Sequence, residues 1–177
     1  MILMITQGRE MGGQPISTIN ALKVATTFTG VAEDDLEQVA VIARTVEYTN
    51  GDVIFEQGAA SDELYIIASG EVDILVEHSD AEGELHSEII STLRAGQSFG
   101  EVALVDKGVR SATARCGQSG TVLLVLPSHE LLVLCQQRPQ LGFQMMHNLA
   151  ASLARIIRDR TAELQLREWL YWAARPC

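Results

Sequence analysis

The chain has 177 residues, of which 47% are hydrophobic, 20% charged and 5% aromatic; that length fits one domain with a sizeable core, and that composition is not the composition of a disordered or fibrous protein. The formal net charge of −10 is unevenly placed, since residues 1–137 carry 20 acidic and 7 basic side chains and residues 138–177 carry 3 and 6. A body this negative repels polyanions and argues against sequence-independent nucleic-acid binding through it.

The chain opens on Met1–Ile5, apolar but broken by Gln7-Gly8-Arg9, which is too short for a secretory segment and lacks a basic stretch before it. Residues 1–27 are read as a ragged N-terminal extension. No apolar run approaches the ~20 residues that cross a bilayer, so no membrane partner is expected. The three cysteines, Cys116, Cys135 and Cys177, are odd in number and widely spaced, which supports neither a disulfide framework nor a metal cluster and suits a reducing cytoplasm.

Glu33–Ala43 has Leu36, Val39, Ala40 and Ala43 on one face and acidic residues in its first turn, and predicts a helix. From Thr45 to Leu126 the pattern changes to short β-rich runs: Val53–Phe55, Leu64–Ile67, Val72–Val76, Ser87–Leu93, Ser111–Arg115 and Thr121–Leu126. Gly51, Gly58, Gly70, Gly96, Gly100 and Gly120 punctuate them, as in a sandwich or barrel. After Pro127 the period returns to helical, with Ser128–Gln137 a short helix capped by Ser128. Pro139 then opens a longer helix that runs to about Trp172, with Phe143, Met146, Leu149, Ala150, Leu153, Ile156, Ile157 and Leu164 at 3.6-residue spacing. Arg155, Arg158, Arg160 and Arg167 are interleaved with Asp159, Glu163 and Glu168, which reads as a solvated face rather than a nucleic-acid stripe.

Packing alone does not explain the string Ser98-Phe99-Gly100-Glu101-Val102-Ala103-Leu104, followed by Asp106 and then Arg110-Ser111-Ala112-Thr113. Gly100 permits close backbone approach, and Glu101 to Leu104 suit a single helical turn whose free N–H groups face an anion. Arg110 follows on the next strand, where its planar guanidinium can pair with two oxygens of a phosphate while Ser111 adds a hydroxyl donor. A carboxylate beside a phosphate needs a different target, and a sugar hydroxyl that donates to Glu101 is the chemically sensible one. The plainer reading of Arg110 is a surface salt bridge with Glu101 or Asp106.

With this segment the chain resembles the cyclic-nucleotide-binding domains of catabolite-activator-type regulators, cyclic-nucleotide-gated channels and the regulatory subunits of cyclic-nucleotide-dependent kinases. The resemblance spans roughly Phe28 to Arg160, including Phe28-Thr29-Gly30-Val31, Gly51-Asp52-Val53-Ile54-Phe55-Glu56-Gln57-Gly58 and Leu64-Tyr65-Ile66-Ile67-Ala68-Ser69-Gly70-Glu71-Val72. It implies a mainly β fold, a β-jelly-roll barrel (residues 28–137 with flanking helices) followed by a C-terminal lid or dimerisation helix (residues 138–177). It also implies that Phe99, Gly100, Glu101, Val102, Ala103, Arg110, Ser111 and Ala112 bind the ligand. In that scheme Glu101 takes the ribose 2′-hydroxyl and Arg110 the cyclic phosphate, with Ser111 and the N–H groups near Gly100 and Ala103 assisting. Ile156 and Ile157 fall where the family's lid helix faces the base; their alternative role is packing on the barrel.

The expected ligand is cAMP or cGMP, with no other cofactor, and Ser111 suits either base. His78, His86, His129 and His147 show no metal-ligand spacing, which separates the chain from a metal-binding cupin enzyme of similar shape, and no catalytic constellation is visible. Only 17 residues follow Arg160, too few for the helix-turn-helix domain of the regulators. The chain is therefore expected to be a sensor that acts on a protein partner or as a homodimer through its last helix, without direct nucleic-acid contact. The alternative is a regulator lacking its DNA-binding domain.

Overall fold

The computed structural model describes residues 8–11, 15–60, 62–80, 83–101 and 108–173. Its elements in chain order are β1 (Arg9–Met11), α1 (Pro15–Val24), a 3-10 turn (Thr26–Phe28), α2 (Glu33–Ile42), β2 (Arg44–Tyr48), β3 (Val53–Phe55), β4 (Glu63–Ser69) and β5 (Glu71–Ser79). There follow β6 (Leu85–Arg94), β7 (Ser98–Phe99), β8 (Thr113–Cys116), β9 (Thr121–Pro127), α3 (Ser128–Gln137) and α4 (Pro139–Ala173). The strands form two antiparallel sheets, one ordered β1-β2-β9-β4-β7 and the other β3-β8-β5-β6. They face each other as a jelly-roll-like sandwich that does not close into a continuous barrel, with helices against the five-stranded sheet.

The alternation of side chains along β4 and β9 creates two cores. Leu64 and Ile66 on β4, with Leu124 and Leu126 on β9, face the helices and meet Phe28, Leu36, Leu131, Leu141 and Met145. Their neighbours Tyr65, Ile67, Leu123 and Val125 point the other way, into the space between the sheets, where Phe55, Val72, Phe99 and Ala114 wait. Both faces of these two paired strands are buried, and so their sequences are unbroken apolar runs instead of alternating ones.

The expected elements are present, with boundaries shifted by a few residues. The run expected at Ser111–Arg115 begins at Thr113, because Arg110, Ser111 and Ala112 form an irregular lead-in to β8. Ser128 is not a cap: the N-cap position is Pro127 and makes no side-chain bond. β9 runs directly into α3, so Ser128 is already helical, its N–H donates to Asp62 O at 2.6 Å, and its hydroxyl is buried without a partner. The strands β1, β2 and β7, the helix α1 and the 3-10 turn had no counterpart among the expected elements. Part of the N-terminal segment is built into the core, since Leu22 and Ala25 are wholly buried and β1 pairs with β2.

The long helix α4 has a different phase from its apolar pattern. Leu141, Met145 and Leu149 are buried, whereas Phe143 lies on the opposite side, 67% exposed and stacked on His147 at 6.2 Å. Two polar ties fix the start of this helix: Arg138 Nη1 bonds Asp35 on α2 at 2.6 Å, and the Asn148 amide donates to the carbonyls of Thr27 and Thr29 at 3.0 and 2.8 Å.

The chain crosses from one sheet to the other at Gly70, between β4 and β5, with φ of 90°. A Cβ there would lie 2.3 Å from Thr121 Oγ1 and 2.7 Å from Thr121 Cα, and Thr121 is fixed by its bonds to Glu71 and Gln118. Gly70→Ala should therefore combine a left-handed backbone with a main-chain clash and cost about 2–4 kcal/mol. Urea denaturation of the purified variant measures this, and a loss below about 1 kcal/mol contradicts the rigidity assigned to this corner.

Candidate functional site

The site is built around Arg110, and the turn at residues 56–60 puts it in place. Arg110 N donates to Ala59 O at 2.9 Å, and its carbonyl accepts from Gly58 N at 2.8 Å, so both main-chain groups of a residue outside any strand are used. Gly58 adopts φ of 80°, which lets the turn fold back onto this segment. The side chain then runs inward and is 5% exposed. Its guanidinium carbon lies 3.9 Å from the ring centre of Phe55 and 5.3 Å from that of Tyr65, a cation over aromatic faces. Tyr65 itself stacks on Phe99 with centroids 5.1 Å apart and donates its hydroxyl to Glu63 Oε2 at 2.6 Å.

Of the two partners in the plainer reading of this arginine, only Glu101 is among the described residues. Arg110 Nη1 donates to Gly100 O at 3.2 Å and Nη2 to Glu63 O at 3.0 Å; these acceptors are carbonyls, and no ion pair with Glu101 forms. Asp106 lies outside the described residues. Nε is buried with no partner. Burial lowers the pKa of Arg110, partly offset by Tyr65 and Glu63, yet an arginine keeps its proton in proteins. The result is a buried positive charge, oriented from two sides and, among the described residues, in ion-pair contact with no carboxylate, an arrangement that suits an anion.

Gly100 is required by this arrangement. With φ of 81° its position would place a Cβ 2.3 Å from Arg110 Nη1 and 3.1 Å from Glu63 O, so no other residue fits without moving the guanidinium. Glu101 follows it, with its carboxyl mostly withdrawn from water; burial pushes its pKa up, opposed by a backbone hydrogen bond and by the nearby Arg110 charge.

A cleft of about 710 Å³ opens over these groups. Phe99, Gly100, Glu101, Arg110, Ser111 and Ala112 all line it; Val102 and Ala103 lie outside the described residues. The opposite wall comes from α4, through Ser152, Leu153, Arg155 and Ile156, and from β5 and β6, through Ile74, Val76, Ile90 and Leu93. Ile156 thus stands in the wall. Ile157 does not: it is 65% exposed and is not a lining residue, whereas Leu153, one turn earlier than its expected role, is. The sequence reading also missed Phe55, Tyr65 and Glu63 as supports of Arg110. Their positions in or beside β-runs suggest roles in the sheet, and nothing in their spacing ties them to a residue 45 to 55 positions away. Among the described residues no cluster of three or more His, Cys, Asp or Glu side chains forms a metal-binding group, and no helix is long and apolar enough to cross a membrane.

Comparison with known proteins identifies the family and the fold. The family model described as the cyclic nucleotide-binding domain matches residues 45–138. The chain is 33% identical over 145 residues to the cyclic AMP receptor protein of Thermus thermophilus, covering 82% of this chain and 63% of that protein. It is 31% identical over 109 residues to a Drosophila melanogaster cGMP-dependent protein kinase, isozyme 2, covering 62% of this chain and 11% of the kinase. The chain therefore spans less than two thirds of either relative's length. Among solved structures, a cyclic nucleotide-binding domain from Methylobacillus flagellatus has the same fold, with a TM-score of 0.75 at 19% identity over 91% of this chain and 89% of that one.

The burial of Glu101 makes a prediction independent of any ligand. A carboxyl whose folded-state pKa lies above its unfolded value of about 4.5 holds its proton more tightly in the folded chain. Its penalty is then absent when both states are protonated and develops as the pH rises through that range. Glu101→Gln should therefore stabilise the unliganded protein at pH 7, and the gain should shrink towards zero below about pH 4. Urea midpoints of both proteins across pH 3.5–8 test this; a pH-independent difference, or a loss at pH 7, contradicts it.

Proposed function

We propose that this chain, which belongs to the cyclic nucleotide-binding domain family, is a sensor that captures cAMP or cGMP in the cleft over Arg110 and performs no chemistry on it. The observation that carries this reading is the buried guanidinium of Arg110, which pairs with no carboxylate among the described residues, with Gly100, Glu101 and Ser111 lining the same cleft. In the proposed complex the cyclic phosphate neutralises Arg110 and accepts from guanidinium N–H groups that the Gly100 and Glu63 carbonyls do not use, and Ser111 adds its hydroxyl. Glu101 accepts from the ribose 2′-hydroxyl, the only sugar hydroxyl left free in a 3′,5′-cyclic nucleotide. The base then lies against the apolar wall of Leu93, Leu153 and Ile156. Covering a purine face there removes apolar area worth about 25 cal/mol per Å², so ligand favours the position of α4 in which this contact forms. Movement of α4 is the signal passed on to a protein partner or a second copy of the chain.

Regulators of the catabolite-activator type are the second reading, favoured by the 33% identity to the Thermus protein; in that case these residues are the sensing part of a DNA-binding protein. Gel-shift titration of the chain with promoter DNA at varied salt separates the two, since a basic DNA reader loses affinity steeply as salt rises.

Calorimetry with cAMP, cGMP and a linear nucleoside monophosphate tests binding itself. The expected result is micromolar affinity for a cyclic nucleotide, about −8 kcal/mol, with the linear compound weaker. No heat and no thermal stabilisation at millimolar cyclic purine nucleotide would remove the reading.

Arg110→Ala should weaken binding roughly ten- to a hundredfold while the domain stays folded. Glu101→Ala should lose the preference for the ribose form over a 2′-deoxy cyclic nucleotide. A variant that keeps that preference shows that Glu101 does not read the sugar.

A further inference from the structure

The face of α4 that packs on the body changes character along its length. Leu141, Met145 and Leu149 are buried against the helical core; one turn on, Ser152, Leu153 and Ile156 line the cleft instead. The next position of the same stripe is Arg160, where an apolar residue would be the simple continuation. Its side chain reaches across to the opposite wall, donating from Nη2 to the carbonyl of Ile90 at 2.8 Å, and from Nη1 to Glu163 Oε2 at 3.1 Å on its own helix. Ile90 belongs to β6, the edge of the four-stranded sheet, and the edge of a sheet presents carbonyls that no further strand covers. Arg160, Ile90 and Glu163 all line the cleft.

We infer that Arg160 is the positioning residue of the cleft, a clasp that sets where the α4 wall stands relative to β6. A planar guanidinium held by a carboxylate on one side and a main-chain carbonyl on the other defines direction as well as distance. It thereby fixes the rotation of α4 that turns Leu153 and Ile156 into the cleft, and it acts on the ligand through those two side chains. The inference rests on the nucleotide-binding reading above. It extends that reading by naming a residue outside the Phe99–Thr113 segment that governs affinity without choosing between bases.

Arg160→Ala and Arg160→Lys in the full chain test this, alanine keeping the helix propensity of the site and lysine keeping one charged donor. One exposed hydrogen bond sets the scale, so the alanine variant should bind cAMP and cGMP about three- to tenfold more weakly, through faster dissociation and with their ratio unchanged. Lysine should restore about half of that loss on a logarithmic scale. Without nucleotide, hydrogen exchange across residues 150–165 should be faster in the alanine variant than in wild type. Wild-type affinity and dissociation in the alanine variant overturn the clasp, as does a lysine variant no better than alanine. A changed cAMP-to-cGMP ratio also overturns it, because Arg160 would then touch the base itself. Failure of the wild type to bind either nucleotide would instead sink the nucleotide reading, while the exchange comparison still decides the clasp.

Discussion

Burying a guanidinium is expensive, and much of this fold serves to make it tolerable. Desolvating a charge costs several kcal/mol even after relaxation, and among the described residues the compensation comes from dipoles and quadrupoles rather than from a paired carboxylate. Two carbonyls, on Gly100 and Glu63, receive its outer N–H groups, and the faces of Phe55 and Tyr65 stand beside it. These groups come from a turn, β3, β4 and the end of β7, so the charge is stabilised only when both sheets are assembled. Under the proposed function, a carboxylate paired with this guanidinium would compete with the phosphate for the same donors.

The glycines around the site follow from the same constraint. Gly58 lets the 56–60 turn engage both main-chain groups of Arg110, and Gly100 removes the one Cβ that would collide with its guanidinium. Glu101 follows directly, in a poorly hydrated position. Backbone shape and charge placement are in this way set by a handful of neighbouring residues, and the rest of the sandwich holds them in register.

Much of this was legible in the sequence for identifiable reasons. The β-runs and their glycine punctuation are local signals, and so were α2, α3 and α4, whose ends lie within a residue or so of the expected ones. The segment from Phe99 to Thr113 carries its chemistry in residue types that packing does not require. What could not be read was relational. Apolar residues lie on several sides of α4, so the sequence cannot choose between a stripe through Phe143 and one through Leu141, and only the position of the sheet decides. Phe55, Tyr65 and Glu63 belong to the site through strand pairing over long sequence separations. Ser128 looked like a cap because Ser often is one, but a strand that runs straight into a helix leaves no cap position for it.

The ties of α4 to the body are concentrated in its first third. Leu141, Met145 and Leu149 are its buried anchors and Asn148 its double bond to the 3-10 turn, yet the helix continues to Ala173. The 24 residues beyond Leu149 extend about 36 Å at 1.5 Å per residue. Such a rod has the shape of a lever arm with its fulcrum beside the cleft. A tilt of only about 10° at the fulcrum would sweep its far end through about 6 Å, more than a full helical turn, so under the proposed function a displacement at the cleft no larger than the width of a methyl group would reach the tip as a change of contact surface.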